Sequence, residues 1–326
     1  MKNLLKKMII GSPLEPFARK IQTALTRDEK LVIKPMESNK RILMSDLSAY
    51  LANQLESTQV NLSTKIPDDI KNRLSSATKI TEEVKKLIGD KTLGSYFESS
   101  IERYKHYFAV ADAFLTKGAL ILDIGNAPGH VGIGLHILGM KIQGLNLNDL
   151  WLNTYPSTEW PTTFNAISHD IENGILPFDD NMFDAIYFTE VLEHLAIKDP
   201  AKVLPEFLRV LKPGGILVLS TPNICNISNI YALMNGQNIF WPRDIFYGSL
   251  DRHNREYTPQ EVQEIVDEAG FIKITMYGFN CYSNWRSGGA EFAIHMINQL
   301  GDNHPLLRNT ILLYGFKEPL SASVKG

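Results

Sequence analysis

Two glutamates and a histidine fall within five positions of TEVLEHL, residues 189–195. Glu190, Glu193 and His194 stand at i, i+3 and i+4, so a helix beginning here would carry all three polar heads on one face. Such a face has three uses: a wetted surface, a seat for a metal ion, or a source of a general base. Two carboxylates with an imidazole form a mixed oxygen and nitrogen donor set. That set suits Mg²⁺, Mn²⁺ or Fe²⁺ about as well as Zn²⁺. The imidazole alone could take a proton from a nucleophile.

The surrounding elements decide where that face points. ALILDIG (119–125) is a continuous apolar run of strand length ending in Asp and Gly. Similar runs recur at KIQGLNL, FDAIYF, GGILVLS, FIKITMYGF and NTILLYGF, with helical stretches between most of them. Buried strands alternating with helices predict an α/β protein with a mainly parallel, doubly wound sheet. SYFESSIERYKHYFAVADAFLTKG reads as one long helix ending at Gly118. The loop GNAPG (125–129) joins the first strand to a helix, where a nucleotide-like ligand could approach free backbone N–H groups. The alternative is a tight turn with no ligand, because Ala127 stands where GxGxxG has its first glycine. Asn146 ends the next strand, at the position of a ribose-binding side chain.

Residues 1–93 differ in character, and 94–326 form the main domain in this reading. The first part is rich in Lys, Ser, Asp and Glu and predicts a helical extension or lid, with helices at 47–57, 68–80 and 81–89. Asp68 and Thr81 read as N-caps and Gly89 as a stop. At the N-terminus, Lys6 and Lys7 interrupt the apolar stretch of MKNLLKKMIIGSP, unlike a signal peptide. A packed or frayed terminal helix is the favoured reading there; a basic amphipathic helix on a membrane surface is the other. No apolar run reaches the roughly 18 residues of a membrane span. With 33 Lys and Arg against 36 Asp and Glu, nothing calls for a nucleic-acid partner. The two cysteines, Cys225 and Cys281, form no CxxC and fit a reducing, cytoplasmic compartment.

DxGxxxG at Asp123, LPFxDxxFD, VLEHL and LKPGG follow one another in this order. In combination they resemble a class I S-adenosylmethionine-dependent methyltransferase over roughly 94–317. The resemblance implies a seven-stranded, Rossmann-like sheet whose last strand, NTILLYGF, is antiparallel. It places Asp123, Gly125 and Gly129 under the methionine part of S-adenosylmethionine, with Ala127 where the family has a second glycine. An Ala-Pro-Gly loop also occurs among ribosomal RNA 2′-O-methyltransferases. Asp170 would accept from the adenine amino group, Ile171 would lie against the ring, and Thr189 would border the sulfonium. Asn146 replaces the usual ribose-binding acid, and an uncharged amide should hold the diol less tightly.

Glu-x-x-Glu-His is similar to clusters in small-RNA 2′-O-methyltransferases and ubiquinone-pathway O-methyltransferases, where it is associated with a magnesium-type divalent ion. The small-RNA enzymes add a histidine after STPN. Here STPN occupies 220–223 and His253 follows in DRHNREYTPQEV. The resemblance therefore implies a metal set of Glu190, Glu193, His194 and His253, or His194 or His253 as general base. Thr258 reads as the cap of the following helix. The aromatic run at 238–248 is either a stacking wall for the acceptor or a packed lid. The order STPN, insert, HxREYTPxEV resembles bacterial methyltransferases of glycans and secondary metabolites, so a sugar or other vicinal-diol acceptor is expected. A phenolic or quinone-precursor ring, an RNA ribose, and a non-catalytic partner that has lost the cofactor are the alternatives. A nicotinamide oxidoreductase would need the complete GxGxxG.

Overall fold

The computed structural model describes residues 62–63, 65–88, 94–148, 163–240, 242–248, 252–281 and 307–319. The N-terminal segment, the helix expected at 47–57, and Gly89 lie outside them. The elements are β1 (Leu62–Ser63), α1 (Asp68–Lys71), α2 (Leu74–Ile88), α3 (Gly94–Phe114), β2 (Leu120–Ile124), α4 (His130–Ile137), β3 (Lys141–Asn146) and β4 (Ile167–Ser168). There follow β5 (Phe183–Thr189), short 3₁₀ turns at Leu192–His194 and Pro200–Lys202, α5 (Leu204–Val210) and β6 (Leu211–Pro222). The chain continues with α6 (Ile227–Met234), α7 (Arg243–Gly248), α8 (Pro259–Glu268), β7 (Ile272–Phe279) and β8 (Thr310–Phe316).

The strands form one sheet in the order β1-β7-β8-β6-β5-β2-β3-β4. All neighbouring pairs are parallel except those of β8, which runs antiparallel to both β6 and β7. The seven expected strands are therefore present in a Rossmann-like arrangement. The two-residue β1 adds an eighth at the edge. Apolar clusters cover both faces of the sheet, which explains why β2 and β5 read as unbroken apolar runs rather than alternating ones. From β2 the chain winds outward through β3 and β4, then returns to β5 and winds the other way. The crevice beyond β2 and β5 is thus the switch point where such sheets bind ligands.

The described part of the segment before Gly94 packs into the same core: Ile70, Ala77, Val84 and Ile88 join the cluster beneath the sheet. Thr81 does not cap a helix. It lies within α2, buried on the face shared by Ala77, Val84 and Ile88, and its hydroxyl donates to the Thr78 carbonyl at 2.6 Å. A threonine whose hydroxyl bonds the preceding turn needs no helix end. Asp68 is the first residue of α1, with Pro67 in the cap position. By contrast, Thr258 caps α8 as expected, through a reciprocal capping box with Glu261.

α3 and α4 lie close because Gly134 faces Phe108. A Cβ at Gly134 would stand 2.0 Å from the Phe108 ring. Gly134→Ala would gain roughly 1 kcal/mol of helix propensity, but the clash pushes apart two helices that carry the site. We expect a net loss of about 1–3 kcal/mol, read as a lower urea midpoint with an unchanged slope.

Candidate functional site

The C-terminal ends of β2, β3 and β5 open onto a cavity of about 620 Å³, within the range of cofactor sites. Its walls include Asp123, Gly125, Ala127, Asn146, Asp170, Ile171 and Thr189, all expected at a cofactor site, together with Glu190, Glu193, His194 and His253. Gly129, the remaining loop residue, is the N-cap of α4 at φ 91°. Gly125 is required for two reasons: its φ is 72°, and a Cβ would come within 2.4 Å of Val191 Cγ2.

Asn146 lines the cavity at the position expected of it, and its amide also has a structural task. Its Oδ1 accepts from the Ala127 N–H at 3.1 Å, and its Nδ2 donates to Asn126 Oδ1 at 2.6 Å. The amide braces the loop from below, accepting on one side and donating on the other. Asp170 accepts from the Glu172 N–H and from Asn173 Nδ2, fixing the turn that presents Ile171. Glu172, which the sequence did not single out, is buried. Its Oε1 accepts from the N–H groups of Ile197 and Lys198, each at 2.7 Å, and so ties the loop after His194 to the turn at Asp170.

Buried side-chain atoms on residues lining the cavity lack a protein partner among the described residues at Asp123 Oδ2, Asn126 Nδ2, His130 Nε2 and His169 Nε2. Unsatisfied buried polar atoms are costly, so a set on one cavity fits a polar ligand. Burial pushes the Asp123 carboxyl up to about 8.

TEVLEHL is not a helix. Glu190 adopts φ 55°, in the left-handed region, and its N–H donates to the Ser220 carbonyl at 2.9 Å, prolonging the sheet pairing past β5. Only Leu192–His194 turns, as a single 3₁₀ turn. The positive φ breaks the helical register, and the two glutamates take different partners. Glu190 pairs with Arg103 of α3 and accepts from the Ser220 hydroxyl at 2.7 Å. Glu193 is buried, and its Oε2 accepts from the Thr221 hydroxyl at 2.9 Å. Burial, then the charge of Glu190, hold the Glu193 carboxyl well above the usual carboxylate range.

Glu193, His194 and His253 converge instead. One ligand atom from each lies within 4.8 Å of the other two. The backbone holds them there: the N–H groups of Asn254 and Arg255 both donate to the Glu193 carbonyl, and Asn254 Nδ2 donates to the His194 carbonyl at 2.7 Å. His194 Nδ1 is 3.0 Å from the Arg252 carbonyl, and His253 Nδ1 is 2.9 Å from Glu256 Oε1. Each Nδ1 thus faces an oxygen, the outer-shell arrangement that orients an imidazole for ligating a metal ion or accepting a proton.

Sequence reasoning missed α3 as a wall. Tyr96, Ser99, Arg103 and Tyr107 line the cavity at spacings of three and four, the signature of one helix face. Polar residues recurring on that face among aromatics were the available signal. No described residue of the aromatic run 238–248 lines the cavity, and Trp241 lies outside the described residues.

Residues 122–219 match the family model described as "Methyltransferase domain". Over 172 residues the chain is 26% identical to a "Ubiquinone biosynthesis O-methyltransferase" from Psychrobacter arcticus, covering 50% of this chain and 63% of that protein. Over 123 residues it is 33% identical to a "Sterol 24-C-methyltransferase" from Pneumocystis carinii, covering 37% and 32%. The chain thus spans less than two thirds of the length of these relatives. A solved structure of a SAM dependent methyltransferase from Archaeoglobus fulgidus is similar at 18% identity and a TM-score of 0.47, covering 72% of this chain and 97% of that one. The matched segment runs from β2 into β6 and carries much of the cavity wall, so residues 122–219 are a methyltransferase domain.

Proposed function

We propose that this protein transfers a methyl group from S-adenosylmethionine to a hydroxyl of a small acceptor bearing two neighbouring hydroxyls, with a sugar or glycan as first choice. The convergence of Glu193, His194 and His253 on the wall of the cofactor cavity carries this reading. Transfer to oxygen requires loss of the hydroxyl proton as the new O–CH₃ bond forms and the S–CH₃ bond breaks, leaving the thioether. Two imidazole Nε2 atoms and a buried carboxylate beside the reacting groups supply what a weakly acidic hydroxyl needs. The same donors fit a divalent cation such as Mg²⁺, with coordination positions left over for the acceptor. When bound, such an ion supplies Lewis acidity, which lowers the pKa of a coordinated hydroxyl and orients its neighbour.

Within this reading Asp170 and Ile171 face the adenine, Asp123 and the 125–129 loop the methionine, and Thr189 the sulfonium. A phenolic or quinone-precursor acceptor is the second reading, favoured by the ubiquinone-pathway relatives. RNA is disfavoured by the charge balance. Among the described residues no helix is long and apolar enough to cross a membrane; a cytoplasmic setting, with peripheral membrane contact as a variant, belongs to the same proposal.

Calorimetry with S-adenosylhomocysteine, followed by turnover assays on sugars and catechols with and without EDTA, is the test. Binding in the micromolar range, and activity lost in EDTA and restored by Mg²⁺ or Mn²⁺, is expected. No binding at millimolar ligand overturns the cofactor assignment, and activity indifferent to EDTA removes the metal and leaves the histidines as base.

A further inference from the structure

Ala196, Ile197 and Lys198 follow the His194 turn as exposed chain, with Ile197 74% open to solvent. Exposed side chains give such a segment little packing, yet its three consecutive N–H groups all donate to one buried carboxylate. Glu172 Oε1 accepts from Ala196 at 3.2 Å and from Ile197 and Lys198 at 2.7 Å each. Its Oε2 accepts from Ala196 at 3.1 Å. Successive amides converging on an anion make a firm seat, because each bond is charge-assisted.

Glu172 itself stands in the turn that carries Asp170 and Ile171. That turn closes without the Glu172 side chain. The Glu172 N–H donates to Asp170 Oδ1 at 2.9 Å, the Asn173 N–H to the Asp170 carbonyl at 3.0 Å, and Asn173 Nδ2 to Asp170 Oδ2 at 2.6 Å. The Glu172 carboxylate is thereby left to the distant segment. The loop before α8 grips the same stretch from its other end: the N–H groups of Asn254 and Arg255 hold the Glu193 carbonyl, and Asn254 Nδ2 holds the His194 carbonyl. The chain from Glu193 to Lys198 thus lies between two clamps acting on its backbone. One belongs to the loop carrying His253, the other to the turn at Asp170.

We infer that Glu172 is a positioning residue that links cofactor occupancy to the placement of His194. A ligand resting on the Asp170–Asn173 turn steadies the carboxylate, and the carboxylate steadies the backbone that begins two residues beyond the imidazole. The cluster is then set most firmly when the methyl donor is in place. This rests on the reading that S-adenosylmethionine lays its adenine on Asp170 and Ile171.

Linkage makes the expectation quantitative. If the ligand prefers the tethered form over the released form by some factor, the same factor slows release in wild type and is lost from the affinity when the tether is removed. Hydrogen exchange by mass spectrometry on the full chain reads release at the amides of residues 194–198, and calorimetry reads the affinity for S-adenosylhomocysteine. Saturating S-adenosylhomocysteine should slow wild-type exchange there about 5- to 10-fold. Without ligand, Glu172→Ala should exchange about 10- to 100-fold faster, at His194 and Leu195 as well as at 196–198. It should show no slowing by ligand and should bind it about 5- to 10-fold more weakly. Glu172→Gln keeps one acceptor oxygen and should fall between the two; it carries the test if the alanine variant does not fold. Wild-type exchange indifferent to bound ligand leaves Glu172 a structural brace and overturns the inference, as does slowing that survives in full in Glu172→Ala. If wild type does not bind S-adenosylhomocysteine at millimolar ligand, the cofactor reading fails and this inference with it, a result distinct from binding without slowing.

Discussion

Replacing His253 by alanine is expected to lower kcat by about 10²- to 10⁴-fold while leaving the affinity for S-adenosylhomocysteine within about twofold. The first half follows from the position of His253 beside Glu193 and His194 at the cavity wall, where the hydroxyl must lose its proton. The second follows from the elements involved: His253 sits in the loop before α8, whereas the residues expected to hold the cofactor come from β2, β3, β5 and the loops after β2 and β4. His194→Ala tells the two chemical versions apart. If the pair holds a metal ion, each histidine is one ligand of the same centre. Both variants should then fall to similar rates, and each should need more Mg²⁺ or Mn²⁺ for half-maximal activity. If one ring is a general base without metal, only its own removal should be severe, and added cation should change nothing. Wild-type kcat in both variants would remove the cluster from the chemistry altogether.

The sheet was legible because its strands are buried on both faces. Runs such as LDI and FDAIYF need no partner to be recognised, and β8 announced itself by the same composition. The glycine loop was legible as a turn between strand and helix too, since a glycine at φ 72° and another at φ 91° leave a strand–Gly–x–x–x–Gly–helix spacing behind. What the sequence misrepresented was the geometry of TEVLEHL. Three polar residues at i, i+3 and i+4 imply one face only if the backbone is helical, and the left-handed Glu190 breaks that assumption. The reason lies 87 residues upstream, in Arg103, and 30 residues downstream, in Ser220: both engage the Glu190 carboxylate. Long-range partners of this kind leave no local periodicity. Asn146 is a similar case, since its identity as an amide makes sense only once Asn126 and the Ala127 N–H are seen on either side of it.

Asp123→Asn should produce a protein that is more stable and does not bind its cofactor. Asp123 is 1% exposed, and its Oδ2 has no partner among the described residues. Burial raises its pKa from 3.8 to about 8, so between those values the folded chain holds a proton that the unfolded chain has released. A raised acid pKa means that stability falls as pH climbs through this window and levels off above it. Asparagine does not titrate and escapes the penalty. The variant should match wild type near pH 4 and gain on it steadily towards pH 8, by about 1–3 kcal/mol once relaxation of the site is allowed for. For a chain of this size that corresponds to a rise in Tm of several degrees, roughly 2–4 °C per kcal/mol. The cost falls on function, because an amide cannot compensate an ammonium group: affinity for S-adenosylhomocysteine should drop about 10- to 100-fold. In wild type the same carboxyl must ionise to receive that ammonium, so binding at pH 7 should release a proton, seen as a calorimetric enthalpy that depends on the ionisation enthalpy of the buffer. A variant that melts lower than wild type at pH 8 would contradict the account of Asp123 as a strained, ligand-awaiting group. Unchanged affinity would show that the carboxylate does not face the amino-acid end.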